Sequence, residues 1–160
     1  MCGFALSKKY DILLSITEHM MEDIRVKKIT IIDGQGGRMG KSIIEQLKKQ
    51  LPGQELLAIG TNSIATAAMM KAGADYGATG ENPVIVAARD SDIIIGPIGI
   101  VIADSLFGEV TPAMAAAVGR SNAYQILMPV NRCNHYVVGC ENMALNEIIP
   151  LVVEKVIRLI

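Results

Sequence analysis

From position 28 onward, short runs of β-branched and aliphatic residues alternate with stretches in which apolar residues recur every three or four positions. The short runs are typical of strands buried on both faces of a sheet, and the longer stretches of amphipathic helices. Six strands are predicted, with the sequences KKITIID, ELLAIG, ADY, SDIIIG, YQILMPV and HYVVGC. Helices are predicted between the first five strands, and a last helix is predicted from about Asn146 to Ile160.

The alternation of strands and helices predicts the fold class and the strand directions. It favours an α/β, Rossmann-like three-layer sandwich with a mostly parallel sheet and helices on both faces. The last two strands are joined by only five residues, NRCNH, whereas a parallel crossover needs about a dozen or more. If these two strands are neighbours, the final strand is antiparallel.

Polar and proline residues mark where the helices begin. Asn62 or Ser63 can cap the second helix, which Gly73 would end. Asn82-Pro83 and Thr111-Pro112 each combine a cap with a proline in the first helical turn, so two further helices are expected to start there.

Residues 1–27 differ from the rest of the chain in their mixed charge and in their Met20-Met21 pair. One interpretation is an N-terminal extension, with translation starting naturally at Met20 or Met21. The other is an amphipathic helix around Tyr10 to Met21 that packs on the domain or on a neighbour. Residues 28–160 are expected to form a single Rossmann-like nucleotide-binding domain.

Composition narrows the function classes. The 160 residues carry a net charge of -1 and show no basic stripe, so no nucleic-acid partner is expected. The longest apolar run, Ile93 to Ala103, is too short to span a bilayer, and charged residues interrupt the first twenty positions, so neither a membrane span nor a secretory signal is predicted. Three cysteines favour reduced thiols, and we expect a soluble, cytoplasmic protein.

A glycine-rich turn, GQGGRMG, follows the first strand and precedes the first helix. In this setting Gly34 permits a tight turn, Gly36 and Gly37 let backbone amides approach a pyrophosphate, and Gly40 lets the helix pack closely on the strand. The trailing Lys41-Ser42 suggests a P-loop, but the spacing between the glycines does not fit one. A turn that only packs tightly is the alternative to phosphate binding.

The segment GQGGRMGKS resembles the nucleotide loop of dihydrodipicolinate reductase, which binds NAD(P)H. This resemblance implies cofactor contacts for Gly34, Gly37, Arg38, Met39 and Gly40. It covers only the loop and the first helix, and nothing after position 60 matches that family's catalytic motif.

A wider resemblance covers roughly positions 28 to 160. The segments IDGQGG, GPIGI, GEVTPAMAAAV and ILMPVN resemble a family of short, uncharacterised bacterial proteins classed as a domain of unknown function. This family brings no established activity.

The choice of nucleotide depends on the residues after the second strand. NAD-binding Rossmann proteins usually have an Asp or Glu there to hold the ribose hydroxyls, whereas this chain has Gly60-Thr61-Asn62-Ser63. Arg38 could meet a 2′-phosphate, so NADP is slightly favoured over NAD, and another nucleotide stays open. Asp33 would repel a phosphate unless it faces a ribose hydroxyl, a metal ion or a backbone amide.

Residues that follow other strands would share the same edge of the sheet, where ligands of α/β proteins bind. The Gly96-Pro97-Ile98-Gly99 turn follows the fourth strand and Asn131 follows the fifth, although the glycine turn can also be structural. The predicted cofactor-binding set is Asp33, Gly34, Gln35, Gly36, Gly37, Arg38, Met39, Gly40, Thr61, Asn62, Gly96, Pro97, Gly99 and Asn131.

No catalytic set stands out. Asp104 and Glu109 flank SLFG; Glu109 could act as a general acid or complement the next helix N-terminus. Arg132 could anchor an anion or simply be solvated. Cys133, His135 and Cys140 lack a fourth zinc ligand, so no metal site is predicted, and Cys140 is expected in the core. Cys133 and His135 could form a nucleophile–base pair, whereas His19 suggests nothing.

These patterns predict a nucleotide-binding protein, with NAD(P) as the first choice of cofactor. A non-enzymatic sensor or assembly module and an ATP-dependent enzyme with a divergent loop are the alternatives. A homo-oligomer, most simply a dimer through the last helix, is expected because Leu151 and Leu159 would otherwise meet water. Coverage of that helix by the leader is the alternative.

Overall fold

The helices and strands follow the alternation in the sequence closely. The computed structural model describes residues 26–129, 136–138, 140 and 143–160. The strands in these residues are β1 (Ile29–Asp33), β2 (Leu56–Gly60), β3 (Tyr76–Thr79), β4 (Ile93–Pro97) and β5 (Tyr124–Met128). The helices are α1 (Arg38–Gln50), α2 (Ser63–Lys71), α3 (Glu81–Asp90), α4 (Pro112–Gly119) and α5 (Leu145–Ile157). A 3-10 turn, Ile98–Val101, and a second short turn, Ser105–Gly108, lie between β4 and α4.

The strands form one parallel sheet in the order β3-β2-β1-β4-β5. β1 is central, and its Ile29 pairs with Leu56 of β2 on one side and Ile93 of β4 on the other. Because the chain order reverses between β1 and β4, their carboxyl ends border the crevice in which α/β proteins bind ligands. The predicted Rossmann-like α/β fold is confirmed.

Each face of the sheet has its own apolar core. Side chains of a strand alternate between faces, so Ile31 of β1 packs toward α1, α2 and α5, whereas Ile32 packs toward α3 and α4. All five residues of β1 are buried. Each buried isoleucine contributes about 1.5–3 kcal/mol of transfer free energy, so the two layers hold β1, and the loop that follows it, in a fixed position.

The predicted antiparallel sixth strand is wrong. Of HYVVGC, the described residues 136–138 and 140 lie in no strand, and the Cys140 amide closes a turn on the Val137 carbonyl at 3.2 Å. Tyr136 and Val138, which would share one face of a strand, are 63% and 85% exposed. No layer formed by the described residues therefore buries Tyr136 and Val138, and Cys140 is a half-buried free thiol outside any strand.

The helix caps agree with the sequence in two cases and differ in one. Asn62 caps α2 by accepting a hydrogen bond from the Ala65 amide at 2.9 Å, and Thr111 caps α4 through the Met114 amide at 3.1 Å. The prediction that Asn82 caps α3 is wrong, because the N-cap is Gly80, two residues earlier, and Asn82 already lies inside the helix. Gly80 has a φ of 100°, which places the turn before Asn82 rather than at it.

Most of the apolar stripe on α5 packs within the chain. Its buried residues, Ile148, Ile149, Val152, Val153 and Val156, belong to the core that contains α1. Leu159 packs partly against the same core, so the expectation that it would meet water is wrong. Leu151 and Ile157 are 53% and 42% exposed, and the oligomer stays a prediction that depends on them.

The leader helix that the sequence suggested falls outside the described residues. In the part of the chain that the structure describes, no helix combines the length and apolarity needed to cross a membrane.

Candidate nucleotide-binding site

The glycine loop joins β1 to α1 at the carboxyl edge of the sheet. The Gly37 amide donates to the Gly34 carbonyl at 2.9 Å and closes the turn. Gly37 has a φ of 64°, and a Cβ there would lie 2.7 Å from the Ala65 backbone of α2. A Cβ on Gly40 would collide with the Met69 sulfur. These two glycines are therefore explained by the packing of the loop against α2.

Gly36 differs from the other glycines of the loop. It is exposed, and a Cβ at this position would have no atom of residues 26–129 or of the other described residues within 4 Å. Gly34, by contrast, lies beneath Thr61, Leu106 and Glu109, each with an atom within 2.8 Å of its would-be Cβ. Gly36 is thus the glycine of this loop with open space before it.

Asp33 ends β1 and lies buried under the loop. Its Oδ1 accepts a hydrogen bond from the Gly34 amide at 2.8 Å, and its Oδ2 accepts one from the Gly40 amide at 2.7 Å. Burial raises the pKa of Asp33, and these hydrogen bonds only partly offset that effect. Of the partners considered for Asp33, the structure shows backbone amides, so this carboxylate stabilises the loop from within.

The N-terminus of α1 is arranged differently from those of α2 and α4. Its N-cap is Gly37, no side chain caps it, and its first turn contains no acidic residue. Arg38 occupies the first helical position and is exposed. A cation at this end of a helix is unfavourable by about 0.3–1 kcal/mol unless an anion is present. Within the described residues, the Gly36 amide also has no hydrogen-bond acceptor.

Lys41 does not take the position of a P-loop lysine. It is half exposed and lies 3.7 Å from the Glu45 carboxylate, one turn further along α1. This is an ordinary ion pair between positions i and i+4 on a helix surface. The rejection of a P-loop on spacing therefore agrees with the position of its lysine.

Glu109 joins the ends of two strands at the loop. Its Oε2 accepts hydrogen bonds from the Gln35 amide at 2.8 Å and from Asn62 Nδ2 at 2.9 Å, and a third comes from the Thr61 hydroxyl. Asn62 Nδ2 also donates to the Gln35 carbonyl at 3.0 Å. The sequence suggests that Glu109 complements the next helix N-terminus or acts as a general acid, and it gives no sign of this bridge because positions 35, 61 and 109 are far apart in the chain.

The three donors also set the charge of Glu109. Partial burial raises the pKa of its carboxyl, but the hydrogen bonds from Gln35, Thr61 and Asn62 outweigh this and hold the pKa below its ordinary value. Glu109 is therefore ionised at neutral pH. It is a fixed negative charge at the carboxyl end of β2.

The second glycine turn lies deeper than the first. Gly96, Pro97 and Gly99 are all buried. A Cβ on Gly96 would collide with the Ile32 carbonyl oxygen, and Gly99 accepts a hydrogen bond from the Ser105 hydroxyl at its carbonyl. Packing thus explains these residues, and the Ser105–Gly108 turn lies against Gly99.

That turn has an unusual backbone. Asp104, Leu106 and Phe107 have φ values of 62°, 54° and 59°, which are left-handed and cost each of them about 1–2 kcal/mol. Leu106 lies over Gly34, whereas Phe107 is 97% exposed. Backbone strain of this kind concentrates at functional sites.

The structure brings residues 33–40 close to Thr61 and Asn62, and cofactor binding by these residues stays a prediction. Gly96, Pro97 and Gly99 lie nearby but are buried. The predictions for His19, Asn131, Arg132, Cys133 and His135 fall outside the described residues.

The strand order, and the glycine loop beside its point of reversal, define a Rossmann-like α/β domain. The model of one protein family, described as "Domain of unknown function (DUF3842)", matches residues 28–160, and the chain belongs to this family. No curated protein matches the chain. The likeness of the loop to dihydrodipicolinate reductase stays a prediction, since none of these comparisons tests it.

One solved structure to which the chain is similar is a dodecameric FMN-dependent UbiX-like decarboxylase from Escherichia coli O157:H7. The aligned region covers 82% of this chain and 93% of the decarboxylase chain. The sequence identity is 16% and the TM-score is 0.46.

Proposed function

We propose that this domain binds an adenine dinucleotide, NAD(H) or NADP(H), at the glycine loop. The pyrophosphate would lie against Gly36 and the N-terminus of α1, in the crevice between β1 and β4. Exposed backbone amides and the positive end of a helix dipole together favour an anion at such a place.

The observation that carries the proposal is the open space in front of Gly36. A β-carbon at Gly34, Gly37 or Gly40 would collide with neighbouring atoms, so the absence of a side chain there serves packing. At Gly36 an added β-carbon would have no atom of the described residues within 4 Å, and packing among these residues does not account for the glycine. A ligand phosphate close to the backbone would account for it.

A dinucleotide fits this site better than ATP held by a P-loop. Lys41, which a P-loop would aim at the phosphates, pairs with Glu45 on the surface of α1. Arg38 is exposed at the first position of α1, two residues after Gly36, and is the cationic residue closest in sequence to the proposed pyrophosphate-binding glycine. The carboxylate of Asp33 occupies the interior of the loop, so the ligand would approach from the side of Gly36.

The test is calorimetry of the purified full chain against NADH, NADPH, FAD and ATP, the last with and without magnesium. We expect binding of NADH or NADPH without any need for a metal. Binding of ATP only, and only with magnesium, would refute the dinucleotide and favour the alternative of an ATP-dependent enzyme.

A pair of variants tests the position. Gly36→Val should weaken dinucleotide binding by at least about tenfold, because its side chain would fill the pyrophosphate space. Gly53→Val is the matched control, since Gly53 also has nothing within 4 Å but lies in the turn between α1 and β2, away from the loop. Equal affinities of Gly36→Val and the wild type, with both folded by circular dichroism, would refute the site.

A further inference from the structure

The carboxyl end of β2 holds a carboxylate that its own sequence lacks. In Rossmann proteins that bind NAD, an acidic residue at this place accepts hydrogen bonds from the ribose hydroxyls. The segment after β2 has only Thr61 and Asn62 there, but both donate a hydrogen bond to Glu109. The fold therefore places a carboxylate at the end of β2 from the connection between β4 and α4.

Glu109 is held in place by one of its two oxygens. Oε2 receives all three hydrogen bonds, from Gln35, Thr61 and Asn62. In the part of the chain that is described, Oε1 accepts no hydrogen bond. The carboxylate is thus fixed by the protein and keeps one oxygen for a further donor.

This carboxylate also lies directly beside the glycine loop. Its Oε2 lies 2.8 Å from where a Cβ on Gly34 would be, and 2.8 Å from the Gln35 amide. Gln35 is the residue next to Gly36, where the pyrophosphate is proposed. A ribose attached to that pyrophosphate would therefore come within reach of Glu109.

From this juxtaposition we propose that Glu109 accepts hydrogen bonds from the adenosine ribose hydroxyls and makes the site selective for NAD(H) over NADP(H). The inference rests on the proposed function. A 2′-phosphate would place a second negative charge beside the ionised Glu109, and such like-charge contacts disfavour the wrong partner strongly. This selectivity is opposite to the one that Arg38 suggested from the sequence alone.

The experiment compares dissociation constants of the full chain for NADH and for NADPH by calorimetry. The wild type should bind NADH at least about tenfold more tightly than NADPH. In Glu109→Gln, which keeps the size of the side chain and one acceptor oxygen, NADH binding should weaken and NADPH binding should strengthen, so the ratio should fall by about tenfold or more.

Two further variants separate charge and position. Glu81→Gln is the control, because Glu81 also follows a strand at this edge and accepts a hydrogen bond from a threonine, Thr111. It removes the same charge and should leave the ratio unchanged. Arg38→Ala should weaken both dinucleotides by similar factors if Arg38 meets only the pyrophosphate.

The outcomes distinguish this inference from the proposed function. If the wild type binds neither dinucleotide, the proposed function fails and the inference fails with it. If the wild type binds one, but Glu109→Gln weakens both equally, Glu109 only holds the loops together and the inference alone is wrong. A wild-type preference for NADPH that Arg38→Ala abolishes would also overturn the inference and leave the proposed function in place.

Discussion

The glycine loop offers a sharp test of its packing, because two adjacent glycines should respond differently to the same change. Gly37→Ala adds a methyl group at a residue with a φ of 64° that touches α2, whereas Gly36→Ala adds one in open space. If Gly37 is required by its left-handed φ and its contact with α2, and Gly36 is not required by packing, only Gly37→Ala lowers the free energy of unfolding.

The magnitude comes from two effects. An alanine in the left-handed region costs about 1–2 kcal/mol. Its Cβ would lie 2.7 Å from the Ala65 Cα and carbonyl oxygen, well inside the ordinary carbon contact of about 3.5–4.0 Å, and overpacking against backbone costs about 1–3 kcal/mol more. The smaller entropy of the unfolded alanine chain offsets about 0.4–1 kcal/mol of this, which leaves a destabilisation of about 1–5 kcal/mol for Gly37→Ala.

The assay is urea denaturation of both variants and the wild type, followed by circular dichroism and analysed with a common slope. Gly36→Ala retains only the unfolded-state effect, so it should be neutral or more stable by up to about 1 kcal/mol. Equal destabilisation by the two substitutions would refute this account of the loop. So would a change below about 0.5 kcal/mol in Gly37→Ala, which is the range of ordinary surface substitutions.

Three other predictions concern the pH dependence, the strained turn and the assembly. The hydrogen bond from Lys48 lowers the pKa of Asp75, so the stability that Asp75 contributes is present above about pH 4 and is lost as the pH falls. In urea titrations from about pH 6 to 3, the Asp75→Asn variant should therefore lose less stability than the wild type. Equal losses in the two proteins would contradict this. Phe107→Gly should raise the free energy of unfolding by about 0.5–1 kcal/mol, because glycine relieves a left-handed φ and the side chain that is removed is 97% exposed. A lower free energy of unfolding in the same urea assay would show that Phe107 has a packing role. Light scattering should show a homo-oligomer both for the full chain and for a chain that starts at Met21, and Leu151→Lys should dissociate it. If both unsubstituted chains are monomers at micromolar concentration, the predicted oligomer is refuted.

The strands, helix caps and turns that depend only on residues close together in the chain were predictable from the sequence. The β-branched run at Ile29–Asp33 predicts a buried strand, because such side chains suit a pleated surface covered on both faces. The caps at Asn62 and Thr111 were predictable for the same reason, since each side chain bonds an amide three residues away. The glycine loop needed only the order of strand, turn and helix.

The features that the sequence could not supply depend on contacts between distant positions. Nothing near Glu109 indicates that its partners are Gln35 and Thr61, which lie 74 and 48 positions away. The prediction of a sixth strand was wrong for a related reason, because the apolar run in HYVVGC forms a strand only if another layer buries residues such as Val138. Gly37 was assigned to phosphate approach, although its neighbour is the backbone of Ala65 in α2.

Two carboxylates, Asp33 and Glu109, lie on either side of the loop, and their environments shift their pKa values in opposite directions. Asp33 is buried beneath it, where burial raises its pKa despite two amide donors, whereas Glu109 is half-buried above it, where three donors lower its pKa. Between them they take the amides of Gly34, Gln35 and Gly40, so an anionic ligand would have to bind at the side of the loop that neither carboxylate occupies. That side is the one at Gly36 and Arg38, where the glycine is open, the helix is uncapped and the first side chain is a cation. For the proposed dinucleotide, the two acids would thus restrict where its phosphates can lie, and the remaining oxygen of Glu109 would distinguish NAD(H) from NADP(H).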